Sequence, residues 1–193
     1  HKGLELQKTF SLQGLLPALH KANEGALNDV KNVEGSCYYQ WSSALVEWLK
    51  PKQIVELGGA MGVWDVCVLH NLPKESHLFS VTLAEEGKEF SYVDHQSNFY
   101  PCVGDDLDFK VWPKAAVLKD TDLWFVDSLH TEAQLRKEWE LYSPFFKKGA
   151  IVLLDDIHIH QGMENVWNEL KEKFDSFDGT YPLHYTGFGI LTI

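Results

Sequence analysis

Three features of the sequence predict an α/β fold: a mostly parallel sheet of seven strands with helices on both faces. Short apolar runs alternate with segments of helical period through the middle of the chain, the pattern of parallel strands joined by crossover helices. The run DLWFVD shows no polar alternation, as a strand buried on both faces would. The closing stretch PLHYTGFGILTI reads as two strands around a tight glycine turn. With no helix between them, one strand must lie antiparallel in the edge region.

Each element has its own signal. Residues 1–38 carry Gly3, Gly14, Gly25 and Gly35 and read as a loosely helical lead-in. SSALVEWLK is an amphipathic helix with Leu45, Trp48 and Leu49 on one face and Pro51 beyond its end. QIVEL is the first strand and runs into GGAMG; WDVCVLHNL is the helix after it. HLFSVTL is the second strand, followed by Glu85 and Glu86, and NFYPCVGDD a weaker third, ending in Asp105 and Asp106. DLWFVD is the fourth. In TEAQLRKEWELYSPFF, Leu135, Trp139, Tyr142 and Phe146 keep helical spacing, and Thr131 with Gln134 forms a capping box. AIVLLDD is the fifth strand, and GMENVWNELKEKF a helix with Met163, Val166, Trp167 and Leu170 inward.

The bulk numbers narrow the function. The 193 residues suit one domain over 1–193, with 45 % hydrophobic and 23 % charged residues. A net charge of −11 repels phosphate backbones, which argues against nucleic acid as a partner. No apolar stretch approaches the ~20 residues of a membrane helix, and no signal-peptide pattern opens the chain. Cys37, Cys67 and Cys102 are odd in number and widely spaced, as reduced thiols of a cytoplasmic protein are. The chain starts on His1 rather than methionine, as a trimmed chain or a domain cut from something longer would. Seven tryptophans supply core, with some left for a stacking surface.

In sheets of this kind ligands bind beyond the carboxyl ends of the strands, where strand order reverses. The first motif there is Glu56-Leu57-Gly58-Gly59-Ala60-Met61-Gly62. Small residues let backbone N–H groups approach a ligand at a helix N-terminus. Val63-Trp64 replaces the Lys-Ser/Thr of a Walker loop, and the G-x-G-x-x-G of a dinucleotide fingerprint is absent. A tight turn with no ligand is the plain alternative. The spacing E-x-G-x-x-x-G after a strand resembles motif I of the class I S-adenosylmethionine-dependent methyltransferases. That resemblance implies their Rossmann-like fold, with Glu56, Gly58, Gly59 and Gly62 under the amino-acid part of the cofactor. It also implies an acid on the ribose hydroxyls after the second strand. Thr82 or Leu83 holds that place and Glu85 and Glu86 come slightly late, so Glu85 is the candidate. Asp105 or Asp106 matches the acid near the adenine, and Asp127 is counted with the cofactor residues.

The second constellation is Asp127-x-x-His130 after the fourth strand and Asp155-Asp156 after the fifth. If those strands are neighbours, three carboxylates converge and repel unless something positive lies between them. Hard oxygen ligands suit Mg²⁺, Mn²⁺ or Ca²⁺. A histidine of ordinary pKa near 6.5 suits a general base. The set resembles the metal-dependent sugar O-methyltransferases of macrolide tailoring and the cephalosporin-hydroxylase-like branch of the superfamily. It implies Asp127, Asp155 and Asp156 as metal ligands and His130 as base, with Asp-Asp here where that branch often has Glu-Asp. The ending GFGIL is also similar to that branch. The plain alternatives are a loop acid with a helix cap for Asp155 and Asp156, and a capping or packing role for His130. His158 and His160 read either as substrate or supporting contacts or as loop histidines. Tyr38, Tyr39, Gln40 and Trp41 read as pocket wall or as the start of a core helix.

Together these features imply S-adenosylmethionine-dependent O-methylation of a small-molecule or sugar hydroxyl, assisted by a divalent ion. A second copy of the chain is the macromolecular partner left open. The rival readings are a metal-dependent hydroxylase or hydrolase on the same fold, and a non-catalytic module that binds S-adenosylmethionine.

Overall fold

Apolar runs build the centre of a seven-stranded sheet. The computed structural model describes residues 38–84, 88–93, 96–114, 116–180 and 183–193. The strands are β1 (Gln53–Leu57), β2 (His77–Thr82), β3 (Phe99–Val103), β4 (Leu123–Val126), β5 (Ile151–Asp155), β6 (Asp175–Asp178) and β7 (Phe188–Thr192). Their order across the sheet is β3-β2-β1-β4-β5-β7-β6. Strands β1 to β5 pair in parallel, and β7 runs antiparallel to both β5 and β6. The mostly parallel seven-stranded sheet expected from the sequence is therefore present. Its order reverses between β1 and β4, which is where a crevice opens at the carboxyl ends.

Register fixes what meets there. Leu57 pairs with Val126 and Val126 with Leu154. The next residue of each strand, Gly58, Asp127 and Asp155, therefore falls at one edge. Side-chain alternation sets their direction. Ile54, Leu123, Phe125 and Leu153 pack with Trp41 and Leu45 of helix α1 (Tyr38–Leu49) and Trp64 and Val68 of helix α2 (Val63–Leu69). Glu56, Asp127 and Asp155 continue those same rows. The opposite face buries Leu57, Trp124, Val126 and Leu154 against helices α4 (Glu132–Tyr142) and α5 (Gln161–Lys171), through Leu135, Tyr142, Met163 and Trp167. A four-residue helix, α3 (Ala116–Lys119), precedes β4.

Several expectations need correcting. The chain end is one strand, β7, rather than a strand pair; its partner on the outer side is β6, DSFD, which follows α5 and has all four residues exposed. The PLHY stretch contributes only an isolated bridge, Thr180 to His184. Trp48 is 49 % exposed and leaves the buried face of α1 to Tyr38, Trp41, Ala44, Leu45 and Val46. Helix α4 stops at Tyr142 and passes into a 3-10 turn, Ser143–Phe145, because Pro144 has no N–H to continue the ladder. Thr131 caps α4 by accepting from the N–H of Gln134 at 3.2 Å. The reciprocal half of the capping box is missing, since the Gln134 side chain turns to Asp106 and Glu138. The lead-in up to residue 37, Cys37 and Glu85 with Glu86 lie outside the described residues.

Candidate active site

The glycine loop is shaped by what it must avoid. A Cβ on Gly58 (φ +100) would lie 1.9 Å from the backbone oxygen of Asp127, so only glycine lets the ends of β1 and β4 touch. Gly62 (φ +87) is the left-handed cap from which α2 starts. The loop spends its N–H groups within the protein, mostly on the end of β2. Those of Gly58 and Gly59 donate to the Val81 carbonyl at 2.8 and 3.0 Å, that of Gly62 to the Gly59 carbonyl at 2.7 Å, and that of Ala60 to Thr82 Oγ1 at 3.1 Å. What this loop offers a ligand is therefore its close-set backbone and the acids beneath it.

Two of those acids are wholly buried. Glu56 accepts from the Ser80 hydroxyl. Asp65, in the first turn of α2, is 0 % exposed, and neither of its oxygens finds a donor among the described residues. Burial pushes the Asp65 carboxyl well above the ordinary range, and the charge of Glu56 pushes it further; burial raises Glu56 too. A proton shared between the two acids would relieve both.

Two cavities open on the loop. One, of about 380 Å³, lies across the ends of β1, β2 and β3 and is lined by Gly58, Ala60, Thr82, Leu83, Asp106 and Asp127 among others. The second, of about 300 Å³, is lined by Tyr39, Glu56, Gly58, Ala60, Trp64 and Asp127. Gly58, Ala60 and Asp127 belong to both. Of the aromatic residues named near the start of α1, Tyr39 reaches this wall, while Tyr38 and Trp41 are core. Asp105 and Asp106 both line the first cavity. Asp105 is exposed, and Asp106 is buried and held by Gln134 Nε2 at 3.0 Å. The same Gln134 nitrogen donates to Glu138 at 2.8 Å, and Ser128 donates to Glu138 as well. Burial, then the neighbouring Asp106 charge, pushes the Glu138 carboxyl up to about 8.

At the far side of Asp127 the acids gather with histidines. His130 Nε2 lies 3.0 Å from Asp127 Oδ1, and its Nδ1 lies 3.4 Å from Asp156 Oδ2. His184, in the connection before β7, turns Nδ1 to Asp156 Oδ1 at 3.4 Å and to Asp155 Oδ1 at 3.8 Å. The donor atoms form two overlapping sets, Asp127–His130–Asp155 and Asp155–Asp156–His184, each within 4.8 Å. Asp156 sits in the left-handed region at φ 55, which turns the chain out of β5. Burial and then the neighbouring carboxylates push Asp127 and Asp155 well above the ordinary range. Asp155 Oδ1 is buried without a hydrogen-bond partner among the described residues. An orphaned carboxylate oxygen facing like charges fits a divalent cation as the missing partner.

His158 and His160 serve elsewhere. His160 caps α5: its Nδ1 accepts from the N–H groups of Gly162 and Met163 at 3.1 and 3.3 Å. Its Nε2 therefore carries the proton and donates to the His130 carbonyl at 2.7 Å, bracing the loop that carries His130. His158 pairs with Asp178 of β6 at 2.8 Å.

A family model described as a methyltransferase domain matches residues 55–157, more than half of the chain. The chain belongs to this methyltransferase-domain family. No curated protein sequence matches it. Solved structures with the same fold include the O-methyltransferase TomG from Streptomyces achromogenes, involved in tomaymycin synthesis and bound to S-adenosylmethionine: 18% identity, TM-score 0.66, covering 91% of this chain and 89% of that one. A caffeoyl-CoA O-methyltransferase assigned in Staphylococcus aureus gives 17% identity and TM-score 0.64 over 86% and 88% of the two chains. An O-methyltransferase from Bacillus cereus in complex with S-adenosylhomocysteine gives 12% and 0.62 over 95% and 91%. At these identities the likeness is one of fold, the class I S-adenosylmethionine-dependent methyltransferase fold.

In this methyltransferase domain three buried groups escape a reading of the sequence. Glu138 had a usable signal, since it lies on the inward row of α4 with Leu135 and Tyr142. Asp65 had a weaker one, an acid in the first turn of the helix after the loop. His184 had none, because only the packing of the segment before β7 brings it to the acids.

Proposed function

We propose that this methyltransferase transfers the methyl group of S-adenosylmethionine to a hydroxyl of a small molecule or sugar, assisted by Mg²⁺, Mn²⁺ or Ca²⁺. The observation that carries the reading is Asp127: it lines both cavities and also stands 3.0 Å from His130 in the acid–histidine cluster. Donor and acceptor sites thus share a side chain.

In this reading the amino-acid part of the cofactor lies over Glu56, Gly58, Gly59 and Gly62, in the second cavity. The nucleoside extends into the first, with Asp106, the buried member of its pair, or Asp105 beside the adenine. Glu85 is proposed for the ribose. Asp127, Asp155 and Asp156 hold the cation. Bound there, the cofactor supplies a sulfonium methyl, and the cation makes a coordinated hydroxyl more acidic.

The chain's own residues do the remaining work. His130 Nε2–H donates to Asp127, which fixes the ring and leaves Nδ1 to take the acceptor's proton as its oxygen attacks. The stacked ends of β1, β4 and β5 hold acceptor oxygen, methyl carbon and sulfur in line. Cys67 and Cys102 are free and buried, which suits a reducing cytoplasm, and no described helix is long and apolar enough to cross a membrane.

Calorimetry with S-adenosylmethionine, followed by an assay for S-adenosylhomocysteine with hydroxyl acceptors, tests this. The cofactor is expected to bind with or without Mg²⁺, and turnover to require the cation. Absence of cofactor heat removes the methyl-transfer reading. Activity that survives EDTA removes the cation from it.

A further inference from the structure

Asp155, Asp156 and His184 are all buried, and each offers one ligand atom within 4.8 Å of the others. Asp155 is 5 % exposed, and its Oδ1 has no hydrogen-bond partner among the described residues. That oxygen stands 3.8 Å from His184 Nδ1. The imidazole is held in this direction: its ring meets the Tyr38 ring edge-on at 4.9 Å and 87°. The Thr186 hydroxyl bonds to both Asp156 Oδ1 and His184 Nδ1, yet it has only one proton to give. Given to the carboxylate, it leaves the Thr186 oxygen to accept from His184 Nδ1–H at 2.7 Å, so a cation bound among the acids takes the place of that proton.

We propose that His184 is a nitrogen ligand of the cation in the acid cluster, binding through Nδ1 with the ring proton on Nε2. This rests on the reading that the cluster holds a divalent ion, and it names the class of ion. A purely carboxylate set suits Mg²⁺ and Ca²⁺, whereas imidazole favours first-row transition ions. With His184 added, the set selects ions from Mn²⁺ through Co²⁺ and Ni²⁺ over Mg²⁺. The assignment also separates two tasks. Asp155, Asp156 and His184 join Asp127 around the ion, while His130, braced on Asp127 through Nε2, keeps Nδ1 to accept a proton.

The test is metal binding to the full chain without cofactor or acceptor. Mn²⁺ is added and pulsed electron paramagnetic resonance reads nitrogen coupling; Ni²⁺ and Mg²⁺ affinities are measured in parallel. Wild type is expected to show ¹⁴N coupling that persists in His130→Ala and disappears in His184→Ala. His184→Ala should lose about 10–100-fold in Ni²⁺ affinity with Mg²⁺ affinity little changed. His184→Asn, which keeps a polar atom near the Nδ1 position, gives the same comparison should the alanine variant fail to fold. Mn²⁺ bound without nitrogen coupling, or coupling lost in His130→Ala instead, overturns the role of His184 and leaves the cation reading standing. If neither Mn²⁺ nor Mg²⁺ binds the wild type, the cation reading itself fails and takes this inference with it.

Discussion

The two halves of the site both bury carboxyl groups, but they keep them in opposite ways. Around the glycine loop and the first cavity the acids come in pairs with neutral donors at hand. Glu56 has Ser80 and faces Asp65; Asp106 has Gln134 and faces Glu138, which has Ser128. One proton per pair, held by a carboxyl whose pKa burial has raised, is enough to close each. Across Asp127, by contrast, three carboxylates, Asp127, Asp155 and Asp156, meet one another and two imidazoles, and Asp155 Oδ1 is buried without a hydrogen-bond partner among the described residues. In the first half the oxygens without a donor, on Asp65 and Glu138, each belong to a two-acid pair that one shared proton satisfies. In the second half three carboxylates converge, and the proposed cation and chemistry are assigned there for that reason.

The sharpest break of this contrast is His130→Ala. If the cluster half does the chemistry, turnover falls by ~10²–10⁴-fold, the usual worth of a positioned general base. Cofactor affinity, which belongs to the other half, stays within about 2-fold by calorimetry, since surface-side truncations away from a pocket change little. Turnover equal to wild type would sink the assignment of the base.

Next in size is Asp155→Asn. Cation affinity should drop by at least the ~10–100-fold that loss of a supporting group costs. Stability should move the other way. Asp127 and Asp155 bind a proton more tightly in the folded protein than in the unfolded chain. The metal-free wild type therefore loses stability as pH rises above the ordinary carboxyl value of about 4. Asp155→Asn removes one of the clashing charges, so in EDTA at pH 8 it should melt above wild type. Thermal melts with and without Mn²⁺ check this: wild type should gain from the ion and the variant should not.

How much of this contrast was legible in the sequence follows from what each half is made of. Strands β1, β4 and β5 declare themselves as apolar runs, and their carboxyl-end residues Glu56, Asp127 and Asp155 were readable because a strand has a definite end and a sheet a definite edge. The acids of the cluster could be named once β4 and β5 were taken as neighbours. Their counterparts on the helices left weaker signals. Asp65 and Glu138 lie on helices, where an acid reads as solvated until packing shows otherwise. Strand β6 was missed because DSFD is an exposed edge with one large apolar residue, so no buried face stamps a pattern on it. His184 escaped because a loop, with no period of its own, brings it 3.4 Å from Asp156.

Glu138→Gln examines the closed half directly. Its carboxyl, pushed up to about 8 from an ordinary 4.5, binds its proton more tightly when folded. Wild-type stability therefore falls as pH rises from about 4.5 to about 8. Glutamine keeps the acceptor for Ser128 and supplies a permanent donor toward Asp106. Equilibrium denaturation should show the variant with a flatter pH profile across that window and greater stability at pH 8. An unchanged profile would mean that Glu138 is ionised in the folded protein and that the pair is not closed by a proton.

The smallest effect separates the two halves most finely. Thr131 accepts from the Gln134 N–H at the start of α4, and loss of such a cap costs about 1 kcal/mol. That helix carries Gln134 and Glu138 to Asp106, on the side proposed for the cofactor, whereas His184 and Asp155 belong to β7's approach and β5. Thr131→Ala should therefore lower the melting temperature slightly and weaken S-adenosylmethionine binding a few-fold at most, while leaving the Mn²⁺ affinity of the cluster where it was. A variant that loses cation affinity and keeps its cofactor affinity would show that α4 supports the wrong half for this account, because the bracing would then run through Thr131 to His130 rather than through Gln134 to Asp106.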